Sequence, residues 1–354
     1  MKKTRIVLLD SHAIIHRAYH ALPDFATRSG KPTGALYGVS AMLISIISEL
    51  KPDYIIACYD LPKPTFRHEA FKDYKGGRKK TDSELIEQII ESREIFSAFN
   101  IPIYDKEGYE ADDLLGTIAE KLKKDENTET FIASGDMDTF QLVDTDKVKI
   151  YTVIKSIKET IIYDQKSIKE KYGFDSTKII DYKGLAGDPS DNIPGIVGIG
   201  VKTATNLIIN FGNIEEIYEE LKKGDEYFKE NHKEGRITPR IIKLLKEGEE
   251  EALFSKELAT IKRDVPIEFK LPKKEFQDGL DLSKTGEVFR KFEFRALNER
   301  LQKALGIETT KKEISESDLD ESDLKEIEDL KLAVSLLNPN IAKPTLDDIL
   351  NFAD

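Results

Sequence analysis

The 354-residue sequence is 39% hydrophobic and 34% charged, with a single cysteine, Cys58, which excludes an internal disulfide. No apolar run approaches the ~18 residues of a membrane span, and the opening MKKTRIVLLD is too briefly apolar for a signal peptide, so a cytoplasmic protein without membrane contact is expected. The net charge of −12 argues against a polyanionic partner until its distribution is read: residues 307–354 hold 13 Asp/Glu and 5 Lys/Arg, whereas residues 63–80 hold 7 Lys/Arg and 2 Asp/Glu.

In chain order, the β-rich runs TRIVLLD, YIIACYD, IPIYD and TFIASGDMD end at or just before acidic residues. Helical patterns such as ALYGVSAMLISIISEL and ELIEQIIESREIFSAF separate them. Strands alternating with helices predict an α/β fold with a largely parallel sheet covered on both faces. In such sheets ligands bind beyond the carboxyl ends of the strands, where Asp10, Asp60, Asp136 and Asp138 would emerge. YEADD opens the next helix there and adds Glu110, Asp112 and Asp113. After Asp164 helices dominate to about residue 265, and residues 266–306 return to the first domain or flank it. An acidic linker is expected over 307–330 and a short apolar tail over 331–354.

Carboxylates this crowded repel one another, and a helix N-terminus offsets only about 0.3–1 kcal/mol per group. Asp188 and Asp191 of GDPSD bring the candidates to nine. Oxygen ligands without convergent His or Cys favour Mg²⁺ or Mn²⁺ over zinc, and the surplus beyond one Mg²⁺ points to two or more ions. Any one of these residues taken alone reads more readily as a helix cap or turn former than as a ligand. His12, His16 and His20 fall on one helical face and leave a three-histidine metal site open as an alternative.

Two further segments suit phosphate. In PGIVGIGVKTA, Gly195, Gly198 and Gly200 precede a helix opening at Lys202 and Thr203, the pattern of a helix–hairpin–helix that grips duplex backbone. In FKDYKGGRKK, Lys75 and Arg78 flank two glycines beside Tyr74, a set suited to a scissile phosphate and an unstacked base.

Together LLDSHAIIHRAYHAL, ACYDLPKPTFRHEAFKDYKGGR, GYEADDLLGT, SGDMDTFQLV and GLAGDPSDNIPGIVGIGVKTA resemble, in collinear order, the 5′-nuclease (flap endonuclease-like) domain of bacterial DNA polymerase I. FSKELATIKRDVP and FRKFEFRALNERL extend the likeness to about residues 4–306. The resemblance implies a PIN-like, Rossmann-like fold with a helical arch over about 78–92 and a helix–hairpin–helix region over 175–265. It implies a Mg²⁺-dependent 5′-3′ exonuclease and flap endonuclease, with Mn²⁺ able to substitute, acting on duplex DNA with a 5′ flap, nick or 5′ end. All nine carboxylates would serve metals, with Asp10 and Asp113 central to catalysis beside Lys75 and Arg78. Arg17 and Tyr19 would meet the 5′ nucleotide, and the hairpin would bind DNA and K⁺. A monomer is expected, with a DNA polymerase as a partner in cis or in trans. Rival readings are a non-catalytic branched-DNA-binding module and a PIN-type ribonuclease.

Overall fold

The computed structural model describes residues 3–22, 25–144, 147–153, 159–230, 235 and 237–307, so the acidic stretch and apolar tail of 308–354 lie outside the described residues. The first half runs β1 (Thr4–Asp10), α1 (Ser11–Ala21), α2 (Gly34–Leu50), β2 (Tyr54–Cys58), α3 (Phe66–Ala70) and α4 (Ser83–Ala98). It continues with β3 (Ile103–Tyr104), α5 (Ala111–Leu122), β4 (Thr128–Ala133), β5 (Val148–Val153) and β6 (Thr160–Tyr163). The sheet order is β3-β2-β1-β4-β5-β6, parallel throughout except for β6, which runs antiparallel to β5.

Central strand β1 shows why the runs are apolar at every position. Ile6 and Leu8 pack with Leu114, Leu115 and Ile118 of α5 on one face, while Val7 and Leu9 meet α1, α2 and α4 on the other. A strand buried on both faces cannot alternate with polar residues. Its register sets Asp10 opposite Cys58 of β2 and Leu9 opposite Ala133 of β4. The acidic residues that follow these strands therefore leave the sheet along one edge.

The second half is helical: α6 (Gln165–Tyr172), α7 (Ile179–Ala186), α8 (Val201–Phe211), α9 (Ile214–Leu221), α10 (Asp225–Glu230), α11 (Pro239–Glu247) and α12 (Glu249–Ala259). These helices share one apolar cluster with α5, through residues such as Ile168, Leu185, Ala204 and Leu245. The chain then returns to the opposite face with α13 (Phe276–Gly279), α14 (Leu282–Lys291) and α15 (Arg295–Ala304), where Phe289, Phe294, Leu297 and Leu301 complete the second core.

Of the segment expected as an arch, 78–92, residues 83–92 are the start of α4. Leu85, Gln88 and Ser92 are buried in the fold, where Gln88 Oε1 accepts the Ala35 N–H at 2.8 Å and Ser92 Oγ lies 2.6 Å from the Tyr59 hydroxyl. Residues 78–82 run outside a helix and lead into α4.

Candidate active site

Asp10 ends β1 and caps α1: Ala13 N–H donates to its Oδ1 at 3.1 Å, and Ser134 Oγ donates to its Oδ2 at 2.6 Å. Asp60 lies just past β2, and Ala111 N–H at the start of α5 donates to its Oδ1 at 2.7 Å. Strand end and helix start are thus stitched together, and the α5 N-terminus places Asp112 beside them. Asp10, Asp60, Asp112 and Asp136 line one cavity of about 460 Å³, with Glu110, His12, His16, Lys75 and Arg78. Asp136 also lines a second cavity of about 750 Å³, shared with Arg17, Asp138, Lys183, Asp188 and, from the hairpin, Gly200 and Val201.

The electrostatics match the crowding. Burial, reinforced by Asp60 and Asp136, pushes the Asp10 carboxyl up to about 7. Asp112 rises well above the usual carboxylate range through burial and its repulsion by Asp10, Asp136 and Asp138. Asp138 is pushed up to about 7 by burial and Asp136, against the pull of Lys183. Burial would also raise Asp188, but Lys183 at 2.6 Å and the Ser190 hydroxyl hold it below the ordinary range.

Cations sit on the remaining acids. Lys75 Nζ lies 2.7 Å from Glu110 Oε1 and 3.8 Å from Asp191 Oδ2, and Arg78 pairs with Asp191 Oδ1 at 2.5 Å. Lys183 bonds both Asp138 and Asp188. Lys75 itself adopts φ 56°, with its N–H donating to Asp191 O at 2.9 Å. Among the described residues no three His, Cys, Asp or Glu side chains stand close enough together to hold an ion. The carboxylates of Asp10, Asp60, Asp112 and Asp136 nevertheless suit hard divalent ions: they are oxygen donors that share one cavity, and burial with mutual repulsion raises Asp10 and Asp112.

The structure departs from two expectations and from one alternative. Asp113 does not face the cavity: it is 0% exposed, and Arg67 Nη1 and Nη2 each donate to it at 2.8 Å. The N–H groups of Glu110 and Lys262 fill its remaining acceptor sites, so it has no lone pair to offer a metal. Tyr74 is 3% exposed with its hydroxyl 3.1 Å from Glu110 Oε2 and from Asp191 Oδ2, so it cannot stack on a base. The three histidines do not converge: His12 and His16 line the acidic cavity with ring centroids 6.5 Å apart, and His20 lies outside it against Tyr19. His12 Nδ1 already accepts the Asp60 N–H at 3.2 Å.

At the hairpin, Gly195 (φ 60°) has its N–H bonded to Ser255 Oγ at 2.9 Å, and a Cβ there would stand 2.2 Å from Gly187 N. That close approach folds residues 187–200 into the turn that delivers Lys202 and Thr203 to the first turn of α8. Gly200 has φ −93° and open space above it, so no steric need for glycine arises there.

Two residues of the site escaped the sequence reading, Arg67 and Lys183. Arg67 sits inside a motif already singled out, ACYDLPKPTFRHEAFKDYKGGR, and Lys183 immediately precedes another, GLAGDPSDNIPGIVGIGVKTA, but a cation's partner is chosen by the fold, and only its charge is visible in the chain.

The site and fold describe an α/β protein with a carboxylate-lined cavity and a helical companion region, and the comparisons make this specific. Residues 5–173 match the family model described as 5′-3′ exonuclease, N-terminal resolvase-like domain, and residues 174–279 match 5′-3′ exonuclease, C-terminal SAM fold. The chain belongs to the 5′-3′ exonuclease family of nucleases. DNA polymerase I of Bacillus subtilis (strain 168) is 40% identical over 300 residues, covering 85% of this chain and 32% of that protein. DNA polymerase I of Mycobacterium leprae (strain TN) is 32% identical over 305 residues, covering 86% and 32%. The chain thus spans about a third of the length of these curated relatives. Among solved structures, the bacteriophage T5 5′-exonuclease with bound zinc aligns over 86% of this chain and 99% of its own, with TM-score 0.56 and 24% identity. The catalytic core of Rad2 in complex with DNA substrate aligns over 86% and 92%, with TM-score 0.50 and 19% identity. Both share the fold. Among the described residues no helix is long and apolar enough to cross a membrane.

Proposed function

We propose that this chain is a divalent-metal-dependent 5′-3′ exonuclease and structure-specific 5′-flap endonuclease that hydrolyses DNA phosphodiesters to 5′-phosphate products during replication and repair. The observation that supports it most is the convergence of Asp10, Asp60, Asp112 and Asp136 on one cavity that adjoins the hairpin cavity. Asp10, Asp60, Glu110, Asp112 and Asp136 would hold Mg²⁺, or Mn²⁺ in its place, with Asp138, Asp188 and Asp191 serving a second, more distant ion. When bound, such ions supply Lewis acidity, which favours deprotonation of water at neutral pH and offsets charge on the phosphodiester.

The chain's own residues do the rest. Gly195, Gly198, Gly200, Lys202 and Thr203 would grip the duplex backbone by N–H donors and the α8 N-terminus, with K⁺ held at the hairpin carbonyls. Arg17 in the larger cavity would contact the strand, and Tyr19 would stack on the 5′ nucleotide. Lys75 and Arg78 would turn from Glu110 and Asp191 to the phosphoryl oxygens as charge develops there. The protein would act as a monomer beside a DNA polymerase, in the same chain or separate.

A 5′-flap duplex labelled at its 3′ end tests this with Mg²⁺, with Mn²⁺ and with EDTA. Metal-dependent cutting at or within one nucleotide of the junction is expected. Binding without cutting in either metal would make the chain a branched-DNA-binding module.

A further inference from the structure

Outside the carboxylate cavity lies a buried ionic node that the proposed chemistry does not use. Arg67 is 2% exposed, and all its guanidinium nitrogens are engaged. Nε donates to Leu258 O at 2.9 Å, Nη1 to Asp113 Oδ2 at 2.8 Å and Glu110 Oε2 at 3.3 Å, and Nη2 to Asp113 Oδ1 and Thr260 O at 2.8 Å. Asp113 in turn accepts the backbone N–H groups of Glu110 at 3.0 Å and Lys262 at 2.8 Å. The node joins α3, the start of α5 and the segment leaving α12, which are far apart in sequence.

Its geometry has one asymmetry. Three groups reach the Glu110 carboxylate: Arg67, Tyr74 and Lys75. Lys75 is the most exposed of the three, on a glycine-flanked loop, and is the one assigned to turn toward phosphate. Arg67 is locked by a bidentate, fully buried partner and by two carbonyls, so it has a single available position. A buried charge pair of this kind is weak evidence for stability and better suited to fixing geometry.

We propose that Arg67, held in place by Asp113, is a positioning residue for the hydrolysis: it fixes the Glu110 carboxylate for metal binding while touching neither metal nor DNA. The proposal rests on the nuclease reading above. Outer-shell partners of ligating carboxylates have this role generally, and their loss costs roughly 10–100-fold in metal affinity or activity.

The test is the Mg²⁺ dependence of single-turnover flap cleavage for Arg67→Lys, alongside calorimetric titration of the same protein with Mn²⁺. A roughly tenfold slower rate at saturating Mg²⁺, a raised Mg²⁺ midpoint and weaker Mn²⁺ binding are expected. Flap affinity in Ca²⁺ should stay within about twofold, because Arg67 and Asp113 are both buried and present no surface to DNA. Arg5→Lys is the comparator. Arg5 pairs with Glu129 and the Leu50 carbonyl at the opposite end of β1, so its loss should lower Tm without moving the Mg²⁺ midpoint. Asp113→Asn is read in the same way should Arg67→Lys fail to fold, and it should keep the Mn²⁺ stoichiometry of the wild type. A folded Arg67→Lys with wild-type midpoint and rate overturns the proposal, and so does loss of one bound Mn²⁺ in Asp113→Asn. Absence of cleavage by the wild type would instead count against the nuclease reading, and the Mn²⁺ titration would still decide the role of Arg67.

Discussion

Asp10 and Asp138 are carboxyls that the folded protein holds at about 7, from an ordinary value of 3.8. A carboxyl raised on folding stabilises the protein while it stays protonated, and that contribution is lost as pH climbs from about 4 through about 7. Asp10→Asn is neutral at every pH and can still cap α1. In metal-free buffer its Tm is therefore expected to gain on the wild type as pH rises through about 7, and parallel Tm curves would show that Asp10 ionises normally. Mg²⁺ should raise the wild-type Tm progressively with concentration, by mass action on the folded state alone, and EDTA should reverse it. Lys75→Ala should lower the single-turnover cleavage rate about 100-fold, the scale of removing one charge-stabilising donor, with duplex affinity nearly intact. A large affinity loss at unchanged rate would place Lys75 in binding instead.

At the scale of elements, the turn between α7 and α8 depends on two glycine backbones touching. Gly195→Ala would force a Cβ to 2.2 Å from Gly187 N at φ 60°, so a loss of at least about 2 kcal/mol is expected in urea unfolding. The first turn of α8 then presents Lys202 in open surroundings. Lys202→Ala should weaken duplex binding and lower the slope of log affinity against log salt by about one phosphate contact. An unchanged slope would remove the hairpin from the DNA interface. The start of α5 obeys a different logic. Its neighbouring acids separate by face: Asp112 turns to the cavity, while Asp113 turns inward to Arg67.

For the whole molecule, the chain finishes the second core late, with α14 and α15. Phe294 is 1% exposed and packs against Phe25, Tyr37, Phe289 and Phe292. Phe294→Ala is expected to cost about 3–5 kcal/mol in equilibrium unfolding. Cleavage by the folded fraction should be retained, since these rings lie on the sheet face away from the hairpin helices. A residue this near the end of the described fold thus governs stability without entering the site.

Much of this architecture was legible in the chain. Apolar runs ending at Asp10, Asp60 and Asp136, separated by helical periodicity, specify a parallel sheet with acids along one edge, because strand direction alone decides where a strand's last side chain emerges. Glycines just before Lys202 likewise announce a turn into a helix start. The sequence could not say which of two adjacent acids in YEADD meets solvent and which meets a buried cation. Nor could it distinguish Tyr74 as a stacking ring from Tyr74 as a buried anchor, or find Lys183 between Asp138 and Asp188. Those outcomes depend on partners 5 to 149 residues away and on which side of a helix the core falls. Local patterns determined the elements and their order, because propensity and periodicity act over a few residues. Only tertiary packing decided which carboxylates face the cavity, because burial and ion pairing are properties of the assembled fold.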